Sequence, residues 1–266
     1  MIINFFKKEN YRHSYPHCWR CQNGLMFRAT DQWFCNLAHN NLVDRAQAAL
    51  DDLNFVPSWG KTRLKSFLEN RTEWCISRQR SWGMPIPALF DTNTDKEYTS
   101  AAFVNAIADK VATHGIEYWD TVTIADLRAD GVLPAEIVAL PDDQIRKESD
   151  ILDVWFDSGV SHEAVITRDG KKLPVDLYLE GSDQHRGWFQ SSVLTSMVLN
   201  DRLPMKLLLT HGFVVDEKGL KMSKSRGNVV DPLAMIKKYG ADVMRLWVAS
   251  VDYESDVSIS PKMMDQ

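Results

Sequence analysis

The period of apolar positions changes along this chain, and each change marks an element. Between about residues 36 and 68, Leu42, Ala46, Ala49 and Leu53 fall at helical spacing, and a "VPSWG" break from Val56 to Gly60 interrupts them. "WCISRQRSWGMPIPALF", residues 74–90, predicts a strand, a basic turn and a second strand punctuated by prolines. Residues 91–148 are more polar, with Thr/Asn/Asp turns, a helix near residues 101–114 and another near residues 123–130. Residues 1–35 carry no clear period and flank "PHCWRC" with two short pieces.

The last hundred residues alternate more regularly. "DLYLEGSDQ" is a short apolar run that breaks at Gly181, and "RGWFQSSVLTSMVLN" after it is helical. "PMKLLLTHGFVV" predicts another strand, followed by the loop "LKMSKSRGNVVDP" and by a helical "DPLAMIKKYGADVMRLWVAS" broken at Tyr239-Gly240. Strand, helix, strand, loop and helix in this order predict an α/β domain of the doubly wound, Rossmann-like kind with a parallel sheet. Ligands of such domains bind beyond the carboxyl ends of the strands. Here those ends are "LEGSDQ" and "LTHGF", and the basic loop follows the second of them.

Composition adds exclusions more than content. At 44% hydrophobic and 25% charged over 266 residues, the chain can bury a real core. A net charge of −5 argues against a protein that coats nucleic acid indiscriminately, while leaving room for RNA contact through a local basic face. No apolar run approaches a membrane span, and Cys18, Cys21, Cys35 and Cys75 are too unevenly spaced for a disulfide framework. The expectation is a cytoplasmic protein with no membrane partner. There is no internal repeat or low-complexity tract.

The candidate chemistry starts in the basic loop. Lys221, Lys224 and Arg226 stand in one short segment with two serines, closed by Gly-Asn and Asp-Pro turn signals. Lysines on a loop beside a strand-end crevice suit a triphosphate, because their charge can offset the charge that builds on departing pyrophosphate. The alternative is a solvated surface loop. The string "KMSKS", Lys221 to Ser225, resembles the signature loop of class I aminoacyl-tRNA synthetases. "DLYLEGSDQHRGWFQSS" resembles the amino-acid and adenylate site of the isoleucine-specific members in particular. "YPHCWRC", "RATDQWF", "WCISRQRSWGMPIP", "DVWFDSG", "LTHGFVVDEKGLKMSKS" and "GADVMRLWVAS" stand in that family's order over most of the chain, residues 91–148 excepted.

The resemblance implies an isoleucine–tRNA ligase activity: ATP-dependent formation of isoleucyl-adenylate and transfer to tRNA(Ile), with ATP as its Mg2+ complex and a monomeric parent enzyme. It implies Lys221 and Lys224 as catalytic, with Lys224, Met222, Ser223, Ser225 and His211 around ATP. Glu180, Gly181, Asp183, Gln184, Trp188 and Trp155 would hold the isoleucyl-adenylate. A carboxylate at a strand end can neutralise the substrate's ammonium directly, which suits Glu180. Asp183 and Gln184 either reach the ribose and backbone or cap the next helix. Trp188 and Trp155 either shape the aliphatic pocket or pack in the core. His211 is a ligand to adenine or phosphate, or a structural histidine.

Cys18 and Cys21 have zinc-knuckle spacing but make only half a site, with no second pair after "PIP", so a metal-free remnant or a weak zinc site is expected. Arg71, Arg78 and Arg80 with Trp74 and Trp82 form a basic, aromatic-interleaved patch that meets a tRNA acceptor end or lines the crevice. The family's other signature, His-x-Gly-His, does not occur, and neither does a threonine-rich editing signature. The expected layout is therefore a central part of a longer enzyme, inactive by itself. Residues 1–70 would close an editing insertion and return to the core, and 71–90 would form a strand-turn-strand. Residues 91–148 would be a connective insertion, 149–250 the catalytic half with the lysine loop, and 251–266 the start of a linker. The competing readings are a non-catalytic RNA-binding or structural module and a valyl or leucyl relative.

Overall fold

The computed structural model describes residues 9–18 and 21–265, with Ser225 as backbone only. The chain divides into two units, Met1–Gln32 and Trp33–Gln266. In the first, an isolated antiparallel bridge joins His17 to Gly24, and the Cys18 N–H donates to the Asn23 carbonyl. Tyr11, His13, Tyr15 and His17 form a ladder of neighbouring rings along extended backbone.

The second unit is organised around three strands, Asn54–Val56, Leu207–His211 and Tyr178–Gly181, with Leu207–His211 in the middle and both pairings parallel. The expected parallel α/β sheet is therefore present. It recruits one strand the periodicity does not announce. Asn54–Val56 lies inside the stretch expected to be helical, which resolves into helices Leu42–Ala49 and Trp59–Leu68 on either side of it. Three residues are too few to display a two-residue alternation, and this strand pairs only along one side.

Helix Trp188–Asn200 is the spine of the unit. Every residue from Phe189 to Met197 is buried, so it has no solvated face in that stretch and no amphipathic stripe. Its small polar residues matter as much as its apolar ones. Ser191 lets helix Val154–Gly159 approach so closely that a Cβ on Gly159 would stand 3.1 Å from the Ser191 backbone. Thr195 Oγ1 donates to the Gly159 carbonyl at 2.7 Å across the same contact. Phe189, Leu194 and Leu208 join Leu50, Leu64 and Leu68 in the main core. Each such side chain contributes about 1.5–3 kcal/mol by leaving water.

Residues 89–147 build a second core of their own. Leu89–Asp91 pairs antiparallel with Glu97–Tyr98 and with Ile145–Lys147. Helices Ala101–His114 and Ile124–Ala129 pack Phe103, Ile107 and Leu127 against that sheet with Trp119. Both helices fall where the sequence predicts them. Ser100 caps the first, and a Thr123–Asp126 capping box starts the second. A third small core, Met235, Ile259 and Met264, lies under helices Pro232–Tyr239 and Ala241–Ser250, which meet at Gly240 as expected. Among the described residues no helix is long and apolar enough to cross a membrane.

Candidate functional site

Two parallel strands end side by side. Glu180 lies opposite Thr210 and Gly181 opposite His211, so the chain leaves both strands at one level, the edge where open α/β sheets take ligands. Gly181 is buried, and a Cβ there would meet Asp183 Oδ1 at 3.1 Å and the rings of His211 and Phe213 at 3.6 and 3.8 Å. A 3-10 turn, Ser182–Arg186, follows, and Gly187 joins it to helix Trp188–Asn200. The turn folds Gln184 back so that its Oε1 accepts from the Trp188 N–H at 3.0 Å, satisfying one of the open donors of the helix end.

The result is a cleft of about 380 Å³ lined by Ser158, Ser161, Glu180, Gln184 and Trp188. Glu180 is exposed at its rim and Trp188 is half-buried in its wall. Trp188 is held from two sides. Its ring stacks on Tyr178 at 4.1 Å and 6°, and its Nε1–H donates to the Ser158 carbonyl at 3.0 Å and to Ser161 Oγ at 3.1 Å. One carboxylate, one amide and one indole face therefore share a small polar-rimmed opening. That combination can pair with an ammonium and cover an aliphatic chain. Asp183 is exposed beside the same turn.

The lysine loop is reached through Phe213. Its ring approaches Gly181 as given above, and Lys221 Nζ lies 5.2 Å from its centroid. The base of the loop is tied by Asp216, which is not among the site residues expected from the sequence, and by Asn228 of the Gly-Asn turn. Asp216 accepts from the Lys218 and Leu220 backbone N–H groups and from Asn228 Nδ2, all within 2.8–2.9 Å. Asn228 Oδ1 accepts from the Ser223 N–H at 2.9 Å. The hydrogen bond from Asn228, followed by that from Leu220, holds the Asp216 pKa below the usual carboxylate value. Met222 tucks its sulfur under the Val230 N–H and packs on the third core. Lys224 is exposed at the start of a short 3-10 turn, Lys224–Arg226. The Ser225 side chain lies outside the described residues.

His211 is half-buried, with Nδ1 2.7 Å from the Gly212 carbonyl. A carbonyl only accepts, so Nδ1–H is the donor in this contact and Nε2 points elsewhere on the ring. His185, next to Gln184 in the same 3-10 turn, is fully buried. Its Nδ1 donates to the Ser182 carbonyl, and burial pushes its pKa down.

Trp155 faces a different opening. It lines a neighbouring cavity of about 260 Å³ with Arg71, Arg78, Asp153, Arg186 and Gln190. Gly187 separates the two openings: a Cβ there would come within 2.9 Å of the Trp155 ring and 2.7 Å of Gln184 Oε1. Arg78 pairs with the buried Asp153 at 2.9 Å, while Arg71 donates to Gln190 and lies over Trp74. Of the basic patch expected from sequence, Arg71, Arg78 and Trp74 are brought together. Arg80 and Trp82 stay exposed, Trp82 at 84%. Near the cysteine pair, the Gln22 N–H donates to the Cys18 carbonyl at 2.8 Å. Among the described residues no three His, Cys, Asp or Glu side chains converge as a metal site would need.

Comparison with known proteins follows the same lines. Residues 7–260 match the family model described as tRNA synthetases class I (I, L, M and V). An isoleucine–tRNA ligase of Syntrophotalea carbinolica is 48% identical over 263 residues, 98% of this chain and 28% of the relative. Another, from Caldanaerobacter subterraneus subsp. tengcongensis, is 48% identical over 256 residues, 96% of this chain and 27% of that protein. The chain thus spans little more than a quarter of the relatives it matches. Among solved structures, a Mycobacterium tuberculosis methionyl-tRNA synthetase in complex with methionyl-adenylate superimposes with a TM-score of 0.59 at 18% identity, covering 94% of this chain and 40% of its own. The LeuRS of an Agrobacterium radiobacter K84 LeuRS–tRNA–LeuAMS complex gives 0.51 at 21% identity over 73% of this chain and 26% of its own. These two likenesses speak for the fold.

Proposed function

Because the chain belongs to the class I tRNA synthetases of the isoleucine, leucine, methionine and valine group, we propose that it is the segment of an isoleucine–tRNA ligase that holds the aminoacyl-adenylate and carries the lysine loop. The observation that carries this reading is the cleft at the paired strand ends, where Glu180, Gln184 and Trp188 meet. Glu180 pairs with the α-ammonium of isoleucine, and Trp188 walls the aliphatic chain. Asp183 and Gln184 meet the ribose and backbone of the adenylate, and Gly181 lets the nucleotide lie close to the strand end. Trp155 bounds the site from beyond Gly187.

The isoleucine carboxylate oxygen attacks the α-phosphorus of ATP, bound as its magnesium complex. The bond to the bridging oxygen breaks, and pyrophosphate leaves. Lys224, seconded by Lys221, offsets the charge that gathers on that leaving group, and Met222, Ser223 and Ser225 shape the loop around the phosphates. His211 approaches the nucleotide with Nε2. A ribose hydroxyl of tRNA(Ile) then takes the isoleucyl group and releases AMP. Positioning and charge neutralisation suffice, with no covalent enzyme intermediate. Residues 91–148 form an insertion beside this catalytic half.

Amino-acid-dependent ATP–pyrophosphate exchange by the complete enzyme tests the reading. Isoleucine should give the highest kcat/KM among isoleucine, valine, leucine and methionine. Trp188→Phe should narrow the isoleucine-to-valine ratio by about tenfold while sparing kcat, the scale of one methylene in such a pocket. Preference for leucine or valine in the wild type would overturn the assignment.

A further inference from the structure

Trp188 does not hold its own position. Its indole N–H reaches the corner where helix Val154–Gly159 ends and a wide π-helical turn, His162–Thr167, begins. Within that corner Ser158 offers a carbonyl and Ser161 a hydroxyl, at 3.0 and 3.1 Å. The ring's partner, Tyr178, is 5% exposed and stacks at 6°. Burial raises the Tyr178 pKa, and the hydroxyls of Ser192 and Ser161 beside it oppose that rise. Ser161 thus stands next to both rings of the stack. The corner itself is fixed by helix Trp188–Asn200: a Gly159 Cβ would have only 3.1 Å to Ser191, Thr195 Oγ1 donates to the Gly159 carbonyl, and buried His162 lies 3.3 Å from the same hydroxyl. The wall and its clamp are tied to one helix, Trp188 through the chain and Ser161 through packing.

We propose that Ser161 is a positioning residue that sets the size selectivity of the cleft by fixing the Trp188 ring through its indole N–H, with Gly159 setting the height of that clamp. The inference rests on the proposed isoleucine-activating function and adds to it the element that gauges the side chain. A wall held by a double hydrogen bond and a stacked partner cannot tilt to follow a smaller substrate, so the extra methylene of isoleucine keeps its contacts and valine leaves a gap. Losing the hydroxyl leaves the ring one acceptor and lets it move. Isoleucine then loses more than valine does.

The test is ATP–pyrophosphate exchange by the complete enzyme with isoleucine and with valine, for the wild type, Ser161→Ala, Ser161→Thr and Gly159→Ala. Ser161→Ala should reduce the isoleucine-to-valine ratio of kcat/KM by roughly three- to tenfold, the worth of one net hydrogen bond, through a raised KM for isoleucine. Ser161→Thr keeps the hydroxyl and should restore the ratio. Gly159→Ala, which must lift the clamp off Ser191, should move the ratio in the same direction as Ser161→Ala. An unchanged ratio in Ser161→Ala, or an equal loss for both amino acids that Ser161→Thr fails to rescue, would overturn the positioning role. A wild-type enzyme that does not activate isoleucine would instead overturn the function on which it rests, so the two failures are distinct.

Discussion

Replacing Lys224 by alanine in the complete enzyme should lower the rate of isoleucine activation by about 10²–10³-fold, the usual cost of removing one preorganised group from developing charge. Isoleucine affinity should change by less than about threefold. The asymmetry follows from where the residue sits. Lys224 is exposed on a loop whose base is lashed by Asp216 and Asn228, and it is not among the residues that line the cleft. Its ammonium matters when pyrophosphate departs, a state isoleucine alone does not create. Lys221, whose Nζ lies 5.2 Å from the Phe213 ring centroid, should matter less when replaced. Pre-steady-state formation of the adenylate, measured beside equilibrium isoleucine binding, separates the two quantities. A collapse of isoleucine affinity with an untouched rate would show that the loop lysine serves the amino acid and not the phosphates.

Glu180→Gln should produce the complementary defect. The substitution keeps the shape of the side chain and removes its charge, leaving a desolvated ammonium without a counter-ion. A loss of about 30-fold or more in affinity is expected, as for truncated charge pairs at interfaces. Both isoleucine and valine carry that ammonium, so both should weaken by about the same factor and their ratio should hold to about twofold. Activation kinetics with the two amino acids check this directly. If Glu180→Gln altered the ratio while Trp188→Phe did not, the carboxylate would be serving the side-chain pocket and the indole the ammonium.

Much of this geometry is legible in the sequence because its signals are local. "LYLEG" ends on a glycine before a polar turn, "LLLTH" is an unbroken apolar run, and "KMSKS" sits between turn residues, so strand ends, helix and loop fall where the pattern puts them. The pairing of Gly181 with His211 is set by the parallel register of the two strands, which only the structure shows. What escapes is fixed by distant partners. Asn54–Val56 is a strand because Leu207–Leu209 lies beside it, and three residues among helices carry no period of their own. Ser161 meets Trp188 across 27 positions, and Arg186 joins Arg71 and Arg78 around a cavity that no stretch of sequence announces. Trp155 and Trp188 look equivalent as aromatic residues beside polar strings. Only the backbone of Gly187 assigns them to different openings. Asp216 is readable in principle, since an aspartate three residues before Gly219 is ordinary turn chemistry, but the bond it accepts from Asn228 depends on how the loop returns.

The most direct test of the central claim is a crystal structure of the complete enzyme with a non-hydrolysable isoleucyl-adenylate analogue. The α-ammonium should lie within hydrogen-bonding distance of a Glu180 carboxylate oxygen, the aliphatic chain should rest against the Trp188 ring, and the adenylate should run along Gly181 towards His211 and the lysine loop. An analogue bound with its ammonium on another carboxylate, or with its side chain in the arginine-lined cavity beside Trp155, would contradict the account.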